Sequence, residues 1–286
     1  MEKTEAKLLQ EKLFYKKKNA GLILSDEQVR ECDDFCENYK KFLDSSKTER
    51  EAVDFAVNLI KKEGFVEFSS KQSLKPGDKV YLNNRGKALI FAVIGTEDVK
   101  NGVRIAAAHI DSPRLDLKQC PLYEDNELAL FKTHYYGGIK KYQWPALPLS
   151  MHGVIVKKSG QRIEVRIGEE DNDPVFTITD LLVHLAKDQM EKKMSEAINA
   201  ESLNALVGSR PLLQREDDPI KAFVLNILQD RFNIVEEDLT SAELQLVPAF
   251  PAREVGLDRS MIGAYGQDDR VSAYTSLRAA LEVEQP

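Results

Sequence analysis

The chain has 286 residues, of which 42% are hydrophobic and 30% charged, and its formal net charge is −7 at pH 7. A single core stops growing near roughly 250–300 residues, so more than one unit is expected, and the acidic balance excludes a polyanion such as nucleic acid, which needs a basic surface to displace counterions. No apolar run approaches the roughly 20 residues that span a bilayer, and the charged start MEKTEAKLLQEKLFYKKKNA lacks the apolar region of a secretory signal; a cytoplasmic location without membrane contact is expected.

The first sixty residues read as helices. Ser25-Asp26 can cap one, and Thr48 with Glu51 makes a capping box ahead of Val53, Ala56, Val57 and Ile60 at helical spacing. Cys32 and Cys36, four apart in the helical stretch, are expected to be buried structural thiols, and three cysteines in all (with Cys120) are too few for a disulfide framework. Gly64 is a natural stop, after which the pattern turns to β: KVYL, then ALIFAVIG and VRIAAAHI, two nearly continuous apolar runs of the kind buried on both faces.

From about residue 115 to 250 the strands shorten and alternate, as in LALFKTHYY and in GVIVKKSGQRIEVRIG, which folds back at Ser159-Gly160. Helices are expected near 178–198 and 218–232. After Pro248 and Pro251 comes a loop, then a helix over 268–284 with the stripe Val271, Tyr274, Leu277 and Leu281. The simplest organisation is one α/β domain interrupted by a β-rich insertion, with its first part at 1–115, the insertion at 116–250 and its continuation at 251–286.

Two stretches carry chemistry. In A-A-A-H-I-D-S-P, residues 106–113, a His stands at the end of an apolar run, where α/β sheets place their sites, and extended backbone turns His109 and Asp111 to one side. In G-Q-D-D-R, residues 266–270, Asp268 can cap a helix and Asp269 can meet its dipole. Either pattern alone is weak.

Together with H-Y-Y-G-G-I at 134–139, S-L-N at 202–204, A-R-E-V-G-L-D at 252–258 and the longer I-G-A-Y-G-Q-D-D-R at 262–270, they make five ordered segments that resemble the M18 (aspartyl aminopeptidase) metallopeptidases over nearly the whole chain. The resemblance implies a three-layer α/β/α zinc-peptidase-like domain, incomplete here, interrupted by a β-rich dimerisation domain. It also implies two divalent ions, Zn2+ in first place with Mn2+ or Co2+ as alternatives. His109 would be a metal ligand, Asp111 a catalytic carboxylate beside it, and Asp268 a ligand bridging the two ions, with Asp269 as its rival. Two ions about 3.5–4 Å apart would activate a water and polarise the scissile carbonyl, and a metal-bound substrate amine would confine cleavage to the N-terminal residue, an acidic one by what the family name implies. A homo-oligomer formed through the insertion is implied too.

The family pattern continues with a Glu-Glu pair, an Asp and a His, none of which follows Asp268. Glu169-Glu170 and Glu236-Glu237 precede it and read as solvated turns. The expectation is that this polypeptide alone is inactive or nearly so; the competing reading is a non-catalytic assembly subunit. His134, His152 and His184 are expected to be structural, and Asp180 stands where the family has a site-facing His in the insertion.

Overall fold

The computed structural model describes residues 4–71, 73–214 and 217–283, which fall into two units, one reaching to Tyr39 and the other running from Lys40. The first unit holds α1 (Glu5–Leu13), which buries none of its residues, and the start of α2 (Asp26–Ser45). The thiols expected to be buried there are not, Cys32 being exposed and Cys36 half-buried, and none of the three cysteines is in a disulfide.

The second unit opens with the end of α2 and α3 (Glu49–Lys62). The capping box forms as read: Thr48 Oγ1 accepts from the Glu51 amide and Glu51 Oε2 accepts from the Thr48 amide at 2.9 Å. Val53, Val57 and Ile60 form the buried stripe of α3, packed with Phe65, Tyr81 and Leu277. Around this cluster lie three strands, β1 (Val66–Glu67), β2 (Lys79–Asn84) and β3 (Ala88–Val93) in the order β1-β2-β3, and α7 (Gln267–Leu281), which ends short of the expected 284: Glu282 is already a turn and Val283 coil, and residue 284 lies outside the described residues. Ile110 packs against the cluster, which ties the segment bearing His109 to it.

The expected strand VRIAAAHI is not one. Among the described residues no strand pairs with 103–109, and without ladder bonds the run is exposed coil, Val103 at 62% and Ile105 at 81%. β3 likewise alternates between exposed and half-buried residues instead of being buried on both faces.

Residues 114–248 build a six-stranded antiparallel sheet from β4 (Arg114–Asp125), β5 (Leu128–Tyr136), β6 (Leu149–Val156), β7 (Arg162–Ile167), β8 (Ala205–Gly208) and β9 (Glu243–Pro248), in the order β7-β6-β9-β4-β5-β8. Asn126 and Glu127, both at positive φ, give the two-residue β4–β5 hairpin the twist its strands need. At Gly153 a Cβ would meet the Glu243 carbonyl oxygen at 1.9 Å, so only glycine lets β6 and β9 approach. The helix expected near 178–198 is broken into two single turns, α4 (Lys187–Met190) and α5 (Met194–Ala197), with 3-10 turns beside them, since Leu181, Leu182, Val183 and Leu185 are exposed and find no face to pack on. α6 (Pro219–Phe232) forms as expected. Proline sits at its first turn, the Glu124 carboxylate accepts from the Ile220 and Lys221 amides at 2.8 and 2.9 Å, and Ile220, Val224 and Leu228 enter the core, each burial stabilising by about 1.5–3 kcal/mol. A short hairpin, β10 (Arg253–Val255) and β11 (Met261–Gly263), leads to α7.

Candidate metal centre

His109 lies in the extended segment before β4, its side chain 52% exposed, and Asp268 lies where α7 begins, its side chain 95% exposed. Gly266 precedes at φ +81°, and Asp268 and Asp269 keep non-helical backbone angles, so the regular helix starts at Arg270 and the Asp268 carboxylate projects from the junction instead of along the helix. His109 Nε2 and Asp268 Oδ1 are 3.1 Å apart. The other ring nitrogen, Nδ1, is 3.0 Å from the Asp111 carbonyl oxygen and 3.4 Å from Asp111 Oδ1. A carbonyl can only accept, so Nδ1 carries the proton and Nε2 of the neutral ring presents a lone pair.

Two acceptors facing each other at that distance need a cation between them, a proton or a metal ion. Protonation is favoured: burial acts most strongly and works against it, but the Asp111 carbonyl and carboxylate, Asp268 and Asp269 together hold the His109 pKa above its ordinary value. A neutral imidazole nitrogen beside a carboxylate oxygen is also the donor pair that zinc accepts, and the metal would displace that proton. The pair therefore fits one edge of a divalent-ion site. Among the described residues no group of three or more His, Cys, Asp and Glu side chains is placed to hold an ion.

Asp111 is held in place by a residue that the motif reading missed. Tyr136, at the end of β5, donates its hydroxyl to Asp111 Oδ2 at 2.8 Å, while the Arg114 guanidinium lies 4.0 Å over the Tyr136 ring and donates to Asp116 at 2.8 Å. Burial pushes the Asp111 carboxyl up, yet the Tyr136 hydrogen bond and the charges of His109 and Arg114 bring it below the usual carboxylate range. The signal available in the sequence was H-Y-Y-G-G-I itself, because β4 and β5 pair Arg114 with Tyr136 across the hairpin.

The remaining histidines stay away from this site. His134 is exposed and stacks on Tyr135, and His184 is in a 3-10 turn. His152 is fully buried, with Nδ1 2.8 Å from Glu51 and Nε2 2.9 Å from Glu169 and 3.1 Å from Ser150 Oγ. Glu169 is thus no solvated turn residue, as its partner His152, seventeen residues away, lies on the neighbouring strand; Glu170 and the Glu236-Glu237 pair are in exposed turns.

Residues 42–286 match the family model for the aminopeptidase I zinc metalloprotease (M18). The chain is 52% identical over 272 residues to a probable M18 family aminopeptidase 1 of Clostridium acetobutylicum, covering 93% of this chain and 58% of that protein. Its structure is similar to that of the M18 aminopeptidase from Thermotoga maritima, with a TM-score of 0.89 and 45% identity over 95% of this chain and 60% of the other. A more distant likeness, at 19% identity and a TM-score of 0.66 over 88% of this chain and 56% of the other, is to the S. cerevisiae mApe1 dodecamer and shows the fold alone. The chain spans under two thirds of the length of these relatives.

Proposed function

Because this chain belongs to the aminopeptidase I zinc metalloprotease (M18) family, a family of hydrolases, we propose that it serves an aminopeptidase that removes N-terminal, preferentially acidic, residues from peptides with the help of two divalent ions, zinc first among them. The observation that carries this is the approach of His109 Nε2 to within 3.1 Å of Asp268 Oδ1.

His109 and Asp268 would hold the metal, which when bound supplies Lewis-acid polarisation of the scissile carbonyl and activation of water. The chain's own residues prepare the place. The Asp111 carbonyl fixes the imidazole tautomer so that Nε2 is the free donor. The Asp111 carboxylate, kept ionised by Tyr136, steadies the ring and its charge from the Nδ1 side. With two donors brought together among the described residues, ion affinity of the isolated 286-residue polypeptide is low and its activity correspondingly small.

In this reading residues 1–115 and 251–286 belong to the metallopeptidase domain and 116–250 form an inserted domain through which copies associate. The separate core of the six-stranded sheet supports the division. A cytoplasmic setting is supported by three cysteines, too few for a disulfide framework; among the described residues no helix is long and apolar enough to cross a membrane. The test is an assay of the protein isolated from its own cells, with metal content, on Asp-linked and Leu-linked chromogenic substrates. Metal-dependent release with a preference for Asp is expected. Equal turnover of the two sinks the acidic preference, and a metal-free, inactive protein sinks the peptidase reading in favour of an assembly subunit.

A further inference from the structure

The two donors are exposed and neither stands on a paired strand, yet they are held 3.1 Å apart. Two side chains account for this, each starting two or three residues after one donor and ending on the other's segment. Ser112, 3% exposed and next to Asp111, donates its hydroxyl to the Asp268 carbonyl at 3.1 Å. Arg270, 1% exposed and two residues after Asp268, donates Nε to the carbonyl of Ile110, the residue after His109, at 3.1 Å, and Nη2 to the Lys47 carbonyl at 3.0 Å. Tyr265, whose ring lies 5.4 Å from the Arg270 guanidinium carbon, adds a third tie by donating to the Pro113 carbonyl at 3.0 Å.

The ties meet at Gly266, where a Cβ would stand 1.9 Å from Arg270 Nη1 and 3.3 Å from Ser112 Oγ. Glycine is needed there both for its φ of +81° and for this space. Burying a guanidinium is expensive when its hydrogen bonds go to carbonyls and no carboxylate pairs with it directly, and among the described residues Arg270 Nη1 has no hydrogen-bond partner. An apolar side chain would fill the same volume at lower cost, so packing is a poor reason for an arginine at this position. Its two-pronged reach to separate main-chain carbonyls is what an apolar residue or a lysine does not reproduce.

We infer that Ser112 and Arg270 are positioning residues that set the spacing of the His109 and Asp268 donors and through it the affinity for a divalent ion. The inference rests on the reading of His109 and Asp268 as ligands. Neither positioning residue is a usual zinc ligand: the guanidinium is cationic, and Ser112 is a neutral, buried hydroxyl engaged with the Asp268 carbonyl. Residues that hold ligands in this way commonly change metal affinity about 10–100-fold when altered.

The test uses Ser112→Ala and Arg270→Lys in the protein as its cells make it. Zinc affinity is measured by competition with a chromophoric chelator, and unfolding is followed on the metal-stripped protein. Ser112→Ala is expected to lower zinc affinity about 10-fold or more with the metal-free unfolding midpoint unmoved, and Arg270→Lys to lower it as well. Wild-type zinc affinity in both variants overturns the inference, as does a loss of affinity in Ser112→Ala matched by an equal loss of metal-free stability. His109→Ala is the control: if it loses zinc while both positioning variants keep it, the positioning fails alone, and if it too keeps zinc, the ligand assignment itself has failed.

Discussion

His109 Nε2 stands 3.1 Å from Asp268 Oδ1 although the two residues are 159 positions apart in the chain. Folding brings the imidazole of the segment before β4 to the first carboxylate of α7. Replacing His109 by Ala is expected to remove the donor and leave Asp268 solvated; metal content and peptidase activity of the protein from its cells should both fall, activity roughly 100-fold or more. Metal analysis and steady-state rates on the same preparation check this.

Tyr136→Phe takes away the hydroxyl that holds the Asp111 carboxyl below its usual range. The sign is fixed: losing a donor to the ionised form raises the carboxyl pKa, so the acid limb of the pH–rate profile should move to higher pH. Fold and metal content should stay as they were, since the ring still packs under Arg114. A profile superimposable on the wild type would remove Asp111 from the rate-determining chemistry.

His152 carries a pH signature of its own. Burial works most strongly against its protonation, but hydrogen bonds to Glu169 and Glu51 leave its pKa above the ordinary 6.5. Burial likewise opposes ionisation of the two glutamates, yet their partners bring both below the ordinary 4.5. The raised histidine stabilises the fold fully below about pH 6.5 and ceases to as pH rises through its folded value; the depressed glutamates stabilise it above about pH 4.5 and cease to as pH falls through theirs. The cluster's contribution is therefore greatest between those limits. Denaturant unfolding across pH 4–9 should show it, and His152→Ala, which strands two largely buried carboxylates, should cost about 3 kcal/mol at pH 6 and flatten the profile.

Gly266→Ala tests the junction before α7. The substituted residue meets both an unfavourable φ and the Arg270 guanidinium, so a loss of at least about 1 kcal/mol is expected. Zinc affinity should fall with it, as Arg270 gives way. Thermal unfolding with and without metal separates the two effects.

Much of this was legible in the sequence, for reasons that are local. The Thr48–Glu51 box, the helix near 218–232 and the fold-back at Ser159-Gly160 depend on neighbours a few residues apart, and all three form. His109, Asp111 and Asp268 were named from short motifs, and the structure brings them together. What sequence could not supply was pairing at long range. VRIAAAHI has the composition of a buried strand, but a strand exists only where another accepts its ladder, and none among the described residues does. Glu169 read as a turn residue because its partners, His152 and Ser150, lie on the adjacent strand. Tyr136, Ser112 and Arg270 were inside the quoted motifs, yet their roles arise only when segments more than a hundred residues apart, or the two arms of a hairpin, are laid side by side.

The most direct measurement is a crystal structure of the protein with zinc, its anomalous scattering recorded at the zinc edge. A peak about 2.0–2.2 Å from both His109 Nε2 and an Asp268 carboxylate oxygen is the expected result. A bound, active-site zinc that leaves His109 and Asp268 unligated would contradict the account.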